Sequence, residues 1–86
     1  MMDDELILMK NLGKTSVQWL NAVGIRSGDD LRRRGAVHAY QAVWMKGFKP
    51  SKMLLYAIEG ALSDQHWKEL PLERKTSLSL QADALR

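Results

Sequence analysis

The sequence predicts an all-α fold: a compact domain of five to six helices. Three observations carry that prediction. Thirteen leucines, eight alanines and five methionines stand against only nine Val, Ile and Thr residues, a balance that favours helices over strands. No stretch of useful length alternates with period two. Gly13, Gly24, Gly35, Gly47 and Pro71 divide the chain into segments of helical length.

The elements follow in order. A first helix is expected from about Asp3 to Met9, its two aspartates suited to the positive end of a helix dipole. Asn11-Leu12-Gly13 links it to a second helix from about Lys14 to Val23, in which Val17, Leu20 and Val23 recur at helical spacing and which Gly24 stops. Ser27 and Asp30 have capping-box spacing and open a short third helix ending at Arg34-Gly35, anchored by Ile25 and Leu31. A fourth, Ala36 to Lys46, puts Val37, Tyr40, Val43 and Trp44 on one side. Pro50 and Ser51 open a fifth that reaches about Leu62, with Leu54, Ile58, Ala61 and Leu62 as its apolar stripe. Asp64 is expected to cap a short turn through Glu69, and Pro71 to precede a last helix over about 72–85.

Eighty-six residues make one domain, spanning 1–86, with a stability on the order of 3–5 kcal/mol from one core. The absence of cysteine excludes a disulfide framework, a thiol nucleophile and Cys-ligated metals. The longest apolar run, Met53 to Ile58, is too short to span a bilayer, and Asp3-Asp4-Glu5 has the wrong sign for a signal peptide, so a cytoplasmic protein without membrane contact is expected. The net charge of +3 is unevenly placed: residues 1–9 carry −3, residues 10–60 carry nine Lys/Arg against three acids, and residues 61–86 balance at zero. A basic block of this kind suits a phosphate partner, or simply a solvated face.

A weak internal repeat sharpens the choice. Asn11 to Ser16 and Gly47 to Lys52 each run from a small or polar residue through a large apolar one to a hydroxyl that opens a helix, 36 residues apart. That pattern reads as two helix-hairpin-helix units, near 10–16 and 46–52, joined by a connector helix. In such a hairpin the turn residue, here Gly13, is expected at positive φ. Leu12 points back into the core and locks the turn. The first amides of the following helix then form an anion site. Lys14, Thr15 and Ser16 would add a charge and two hydroxyls, with Lys46, Lys49, Ser51 and Lys52 at the second turn and Arg32, Arg33 and Arg34 on the connector. Such contacts hold a duplex without reading its sequence. Gly13→Val is expected to disturb the hairpin, and Lys14→Glu to spare folding while weakening binding. The motif departs from its strongest form at Asn11, where a second glycine would stand, and at Val17, where Ala is common. The bland alternative is that Arg32–Arg34 complement a helix C-terminus and solvate the surface.

Met9-Lys10-Asn11-Leu12-Gly13-Lys14-Thr15-Ser16 resembles the opening of the C-terminal domain of the TfoX/Sxy family of bacterial competence regulators. Val23-Gly24-Ile25, the run from Leu31 to Tyr40, the run from Leu54 to Leu62, His66-Trp67 and Leu70-Pro71 extend the similarity over about Met9 to Leu80. The resemblance implies an all-helical domain related to double helix-hairpin-helix folds and a link to transcriptional control of DNA uptake genes. Family members usually carry a separate N-terminal domain, so the chain is expected to be a stand-alone relative or a fragment beginning at Met1 or Met2.

The remaining residues point away from catalysis. His38 and His66 are the histidines, Asp64-x-His66 is too sparse for a metal site, and no nucleophile–base pair is visible. No enzyme activity, cofactor or metal is expected. Trp19, Trp44 and Trp67 suit base stacking, although Trp44 and Trp67 are expected in the core. Phe48 is expected to turn inward, and Glu59 to be solvated or structural. The sequence therefore predicts a regulatory, DNA-backbone-binding domain. The alternative is a protein-interaction module whose partner is a transcription regulator, RNA polymerase or a second copy of the chain.

Overall fold

The computed structural model describes residues 5–85. It contains five α-helices: α1 (Lys14–Ala22), α2 (Gly28–Arg34), α3 (Ala36–Met45), α4 (Lys52–Leu62) and α5 (Leu72–Ala84), with 3-10 turns at Leu6–Leu8 and Trp67–Glu69. The described residues contain no strand. The shortest dimension, 20 Å, is two helix diameters, so the fold is two helices thick. Helix α3 lies at the centre and packs on α1, α2, α4 and α5, while α4 also carries the Trp67–Glu69 turn.

Leu20, Ile25, Leu31, Tyr40, Val43, Leu55 and Ile58 are the largest fully buried side chains. Each such aliphatic side chain contributes roughly 1.5–3 kcal/mol by leaving water. The Tyr40 hydroxyl is satisfied by donating to the Pro50 carbonyl at 3.2 Å, which ties α3 to the entry of α4. Helix α4 buries more than the predicted stripe: Leu55, Ala57 and Gly60 are enclosed along with Leu54, Ile58 and Ala61, and Leu62 is only half-buried. Helix α5 is the opposite case, burying only Leu78 and Ala82.

Helix ends account for most of the observed boundaries. Ser27 Oγ accepts from the Asp30 N–H at 3.1 Å, as its spacing predicts. The reciprocal arm goes one residue upstream, the Asp30 carboxylate accepting from the Arg26 N–H at 3.1 Å. Helix α1 ends in a Schellman motif: Gly24 sits at φ +86°, and the Ile25 N–H reaches the Leu20 carbonyl at 2.9 Å. Helix α4 ends the same way with Asp64 at φ +56° and Gln65 bonded to the Gly60 carbonyl.

Four expectations change. The helix foreseen over Asp3–Met9 is a 3-10 turn at Leu6–Leu8, since only Leu6 of its leucines finds the core, and Asp3 and Asp4 lie outside the described residues. Gly13 is extended, at φ −94°, and the left-handed residue of that turn is Asn11 at φ +70°. A Cβ on Gly13 would meet nothing within 4 Å, so the position does not demand glycine and the disturbance expected of Gly13→Val loses its basis. The cap of the short turn is His66, whose ring nitrogen accepts from the Lys68 N–H, because Asp64 is already committed to ending α4. Phe48 does not turn inward; it keeps 40% exposure and stacks on Trp19 with ring centroids 5.5 Å apart.

Candidate functional site

The first turn begins at Lys10, which reaches Asp64 across 3.8 Å. Asn11 follows in left-handed backbone, tolerable for Asn because its short side chain bonds locally. That side chain holds the turn to the rest of the fold. Its Nδ2 donates to the Ala57 and Gln65 carbonyls at 3.3 and 2.9 Å, and its Oδ1 accepts from the Trp67 N–H at 3.2 Å. Leu12 is buried, as expected of a residue that locks the turn, and anchors the turn to the core. Gly13 is the N-cap of α1 and brings no capping side chain, which leaves the first amides of α1, at Lys14, Thr15 and Ser16, without a cap.

The second turn parallels the first in part. Gly47 is left-handed, at φ +109°, where Asn11 is in the first copy, and Lys49 at φ +50° departs from the extended Gly13. The Lys49 ammonium lies 5.6 Å over the Trp44 ring. Ser51 caps α4 by position alone, with no side-chain hydrogen bond into the helix.

Both turns open on one groove of about 300 Å³. Ser16 and Trp19 line it from α1. Pro50, Ser51, Met53, Leu54 and Ala57 line it from α4 and its entry, and Asn11, His66 and Trp67 complete it. The structure thus brings Ser16 and Ser51 to one place, with Lys14 and Thr15 on the adjoining turn. It does not bring the other candidates there. Lys52 is turned away, donating to Ser79 Oγ at 2.6 Å and pairing with Asp83 at 3.1 Å. Lys46 is exposed at the end of α3. Arg32, Arg33 and Arg34 occupy the last turn of α2, which contributes nothing to the groove; Arg33 pairs with Asp30 at 2.7 Å and Arg32 lies 3.9 Å from Asp29. The Arg33 guanidinium and the Arg26 N–H together hold the Asp30 carboxyl below its ordinary value of 3.8, the Arg26 bond being the larger cause.

Sequence reasoning missed Asn11, Met53 and His66 as parts of this site, and placed Trp67 in the core. Trp67 is half-buried at the groove, with Lys75 and Lys68 ammonium groups 5.3 and 5.9 Å from its ring. The one legible signal was Asn11 itself, a left-handed-tolerant residue where the motif's strongest form has glycine. Glu59 proves structural, pairing with Arg74 of α5. Among the described residues no cluster of three or more His, Cys, Asp or Glu is arranged to hold a metal, and no helix is long and apolar enough to cross a membrane.

The sequence profile of the TfoX C-terminal domain matches residues 2–82. The chain belongs to the TfoX C-terminal domain family. Membership associates it with competence-related regulation, and the matched span takes in the whole of the similarity seen from Met9 to Leu80. Two solved structures resemble this TfoX C-terminal domain along nearly its full length. The crystal structure of an uncharacterized protein from Listeria monocytogenes, in a triclinic form, is 29% identical over 93% of this chain and 91% of that one, with a TM-score of 0.86. The tetragonal form of a protein of unknown function from Listeria monocytogenes is 28% identical over 94% of this chain and 100% of that one, with a TM-score of 0.87. No protein of curated function matches significantly.

Proposed function

We propose that this TfoX C-terminal domain is a non-enzymatic, cytoplasmic regulatory domain that binds the nucleic-acid backbone through the paired N-termini of α1 and α4, without reading sequence. One observation carries the reading: two helix N-termini without side-chain caps, at Gly13 and Ser51, border the same groove. The uncapped first amides are those of Lys14, Thr15 and Ser16 in α1 and of Lys52 and Met53 in α4, where the Leu54 N–H already donates to the Ser51 carbonyl at 3.0 Å. These amides and the helix dipole favour an anion at each N-terminus, and Lys14 adds a charge beside the first. Titrating isotope-labelled protein with a short random-sequence duplex tests it. Amide shifts centred on residues 13–16 and 51–53 are expected at low salt and should fade towards about 0.15 M, as counterion release requires. Absence of shifts at both salts refutes the reading, as does a Lys14→Glu variant that binds like the parent.

A second reading, docking of a transcription regulator, RNA polymerase or another copy of the chain, is favoured by a different feature. Leu72, Met45 and Leu80 are 79%, 75% and 64% exposed, apolar side chains that a docked partner would cover. Light scattering over a concentration series tests self-association, and a pull-down tests the other partners.

A further inference from the structure

We infer that the groove between the two turns accepts an unpaired nucleobase, so that the nucleic acid this domain prefers is single-stranded. The inference rests on the backbone-binding reading and adds the part of the ligand that lies between the phosphates. Trp19, which carries Phe48 on one face, lines the groove from α1, and Trp67, stacked with His66 at 6.0 Å, lines it from the Trp67–Glu69 turn. Together they extend an aromatic surface into it, and Met53, 54% exposed, adds a polarizable apolar surface. A duplex keeps its bases stacked inside and has nothing to place there; a single strand bound at Ser16 and Ser51 brings a base with every phosphate. At about 300 Å³ the groove lies at the lower end of ligand-site volumes, which suits one ring system.

Charge favours the same occupant. None of the described groove-lining residues is acidic, and the charged groups at the Trp67 ring are the ammonium groups of Lys68 and Lys75. Aromatic surface beside cations is the general solution for single-strand binding. His66 adds a donor. Its Nδ1 accepts from the Lys68 N–H, which leaves the proton of the neutral ring on Nε2. Asn11, the one side-chain amide at the groove, is spent on Ala57, Gln65 and Trp67 and reads no base edge, so the binding should tolerate any sequence.

The test compares a labelled oligothymidine with a random-sequence duplex of equal length by fluorescence anisotropy at one salt concentration, alongside quenching of tryptophan emission. The oligothymidine should bind about tenfold more tightly, the effect of one base stacked on an aromatic ring. Trp67→Leu, which changes no charge and lies outside the main core cluster, should cancel that advantage and leave duplex binding intact. Should Trp67→Leu melt early, Met53→Ala at an exposed position replaces it, removing apolar surface without adding a charge at the α4 N-terminus, and is read as a fall in the ratio of the two affinities. Duplex binding equal to or tighter than single-strand binding overturns the inference while the backbone reading stands. Binding of neither removes both. Quenching by an acidic peptide with no nucleic-acid binding also overturns it and assigns the groove to protein docking.

Discussion

The side-chain amide of Asn11 lies directly over Gly60: a Cβ on Gly60 would come within 2.5 Å of Asn11 Nδ2 and 2.7 Å of the Gln65 carbonyl oxygen. Two segments 49 positions apart are joined by that approach. The left-handed Asn11 turn reaches α4 only because α4 offers bare backbone at Gly60, and the Trp67 turn is held by the same amide. The groove owes its shape to this contact, since Asn11, Ala57 and Trp67 all line it.

Gly60→Ala should therefore destabilise the domain by about 1–2 kcal/mol. Helix propensity alone favours alanine by roughly 0.5–1 kcal/mol, but the Gln65 carbonyl and the Trp67 Cα are backbone and cannot yield, and overpacking costs about 1–3 kcal/mol. Urea denaturation measures the sign. A stabilised variant would contradict the close approach.

Asn11→Gly would install the glycine that the strongest form of the hairpin motif prefers, and should nonetheless lower stability by about 1 kcal/mol or more. Relief of left-handed strain returns roughly 1 kcal/mol, against loss of three hydrogen bonds, each worth about 0.5–1.5 kcal/mol, and a Trp67 N–H left without its acceptor. Amide exchange at Trp67 and Gln65 should accelerate in the variant.

Gly13→Ser separates folding from binding. The backbone there is extended with open space, so the serine fits and caps α1, raising stability by about 0.3 kcal/mol. The same hydroxyl occupies an amide proposed to hold phosphate, so duplex affinity should fall. Unchanged affinity in a stabilised variant would remove the α1 N-terminus from the interface.

Asp83→Asn should raise duplex affinity. Lys52 is held by Asp83 and Ser79, and losing the carboxylate frees its ammonium beside the α4 N-terminus. The stability cost should stay below about 1 kcal/mol, because both side chains are partly exposed and the pair is screened by salt. An affinity that does not rise would mean that Lys52 takes no part in binding.

Acid should weaken the fold in part through Asp30. Its carboxyl is held below the ordinary value of 3.8 by the Arg26 N–H and Arg33. A depressed acid contributes stability that is fully present above its unfolded value and lost as pH falls through its folded value. Asp30→Asn should thus be less stable than the parent at neutral pH, and the difference should close below pH 3.8 in thermal melts. A gap that persists to pH 2 would assign the effect to shape rather than charge.

Residues 10–16 show how far local chemistry carries. The presence of a turn, the burial of Leu12 and the start of α1 at Lys14 were all legible, because apolar spacing and capping act within a few residues. Which residue turns left-handed was not, because Asn11 is held there by Ala57, Gln65 and Trp67, none of them a sequence neighbour. Gly13, freed from that duty, is extended.

The sequence by itself determined an all-helical chain, the extent of α1 to α5 to within about two residues, the core set of Leu20, Ile25, Leu31, Tyr40, Val43 and Ile58, and the family. Periodicity, caps and breakers decide those, and all are local. Only the tertiary structure decided that Ser16 and Ser51 share a groove while Arg32–Arg34 lie on a helix outside it, that Lys52 faces α5, and that Trp67 borders the groove. Those outcomes depend on how α1 and α4 pack on α3 and where α5 closes, and packing directions are set by side chains distant in sequence that meet only in the folded chain.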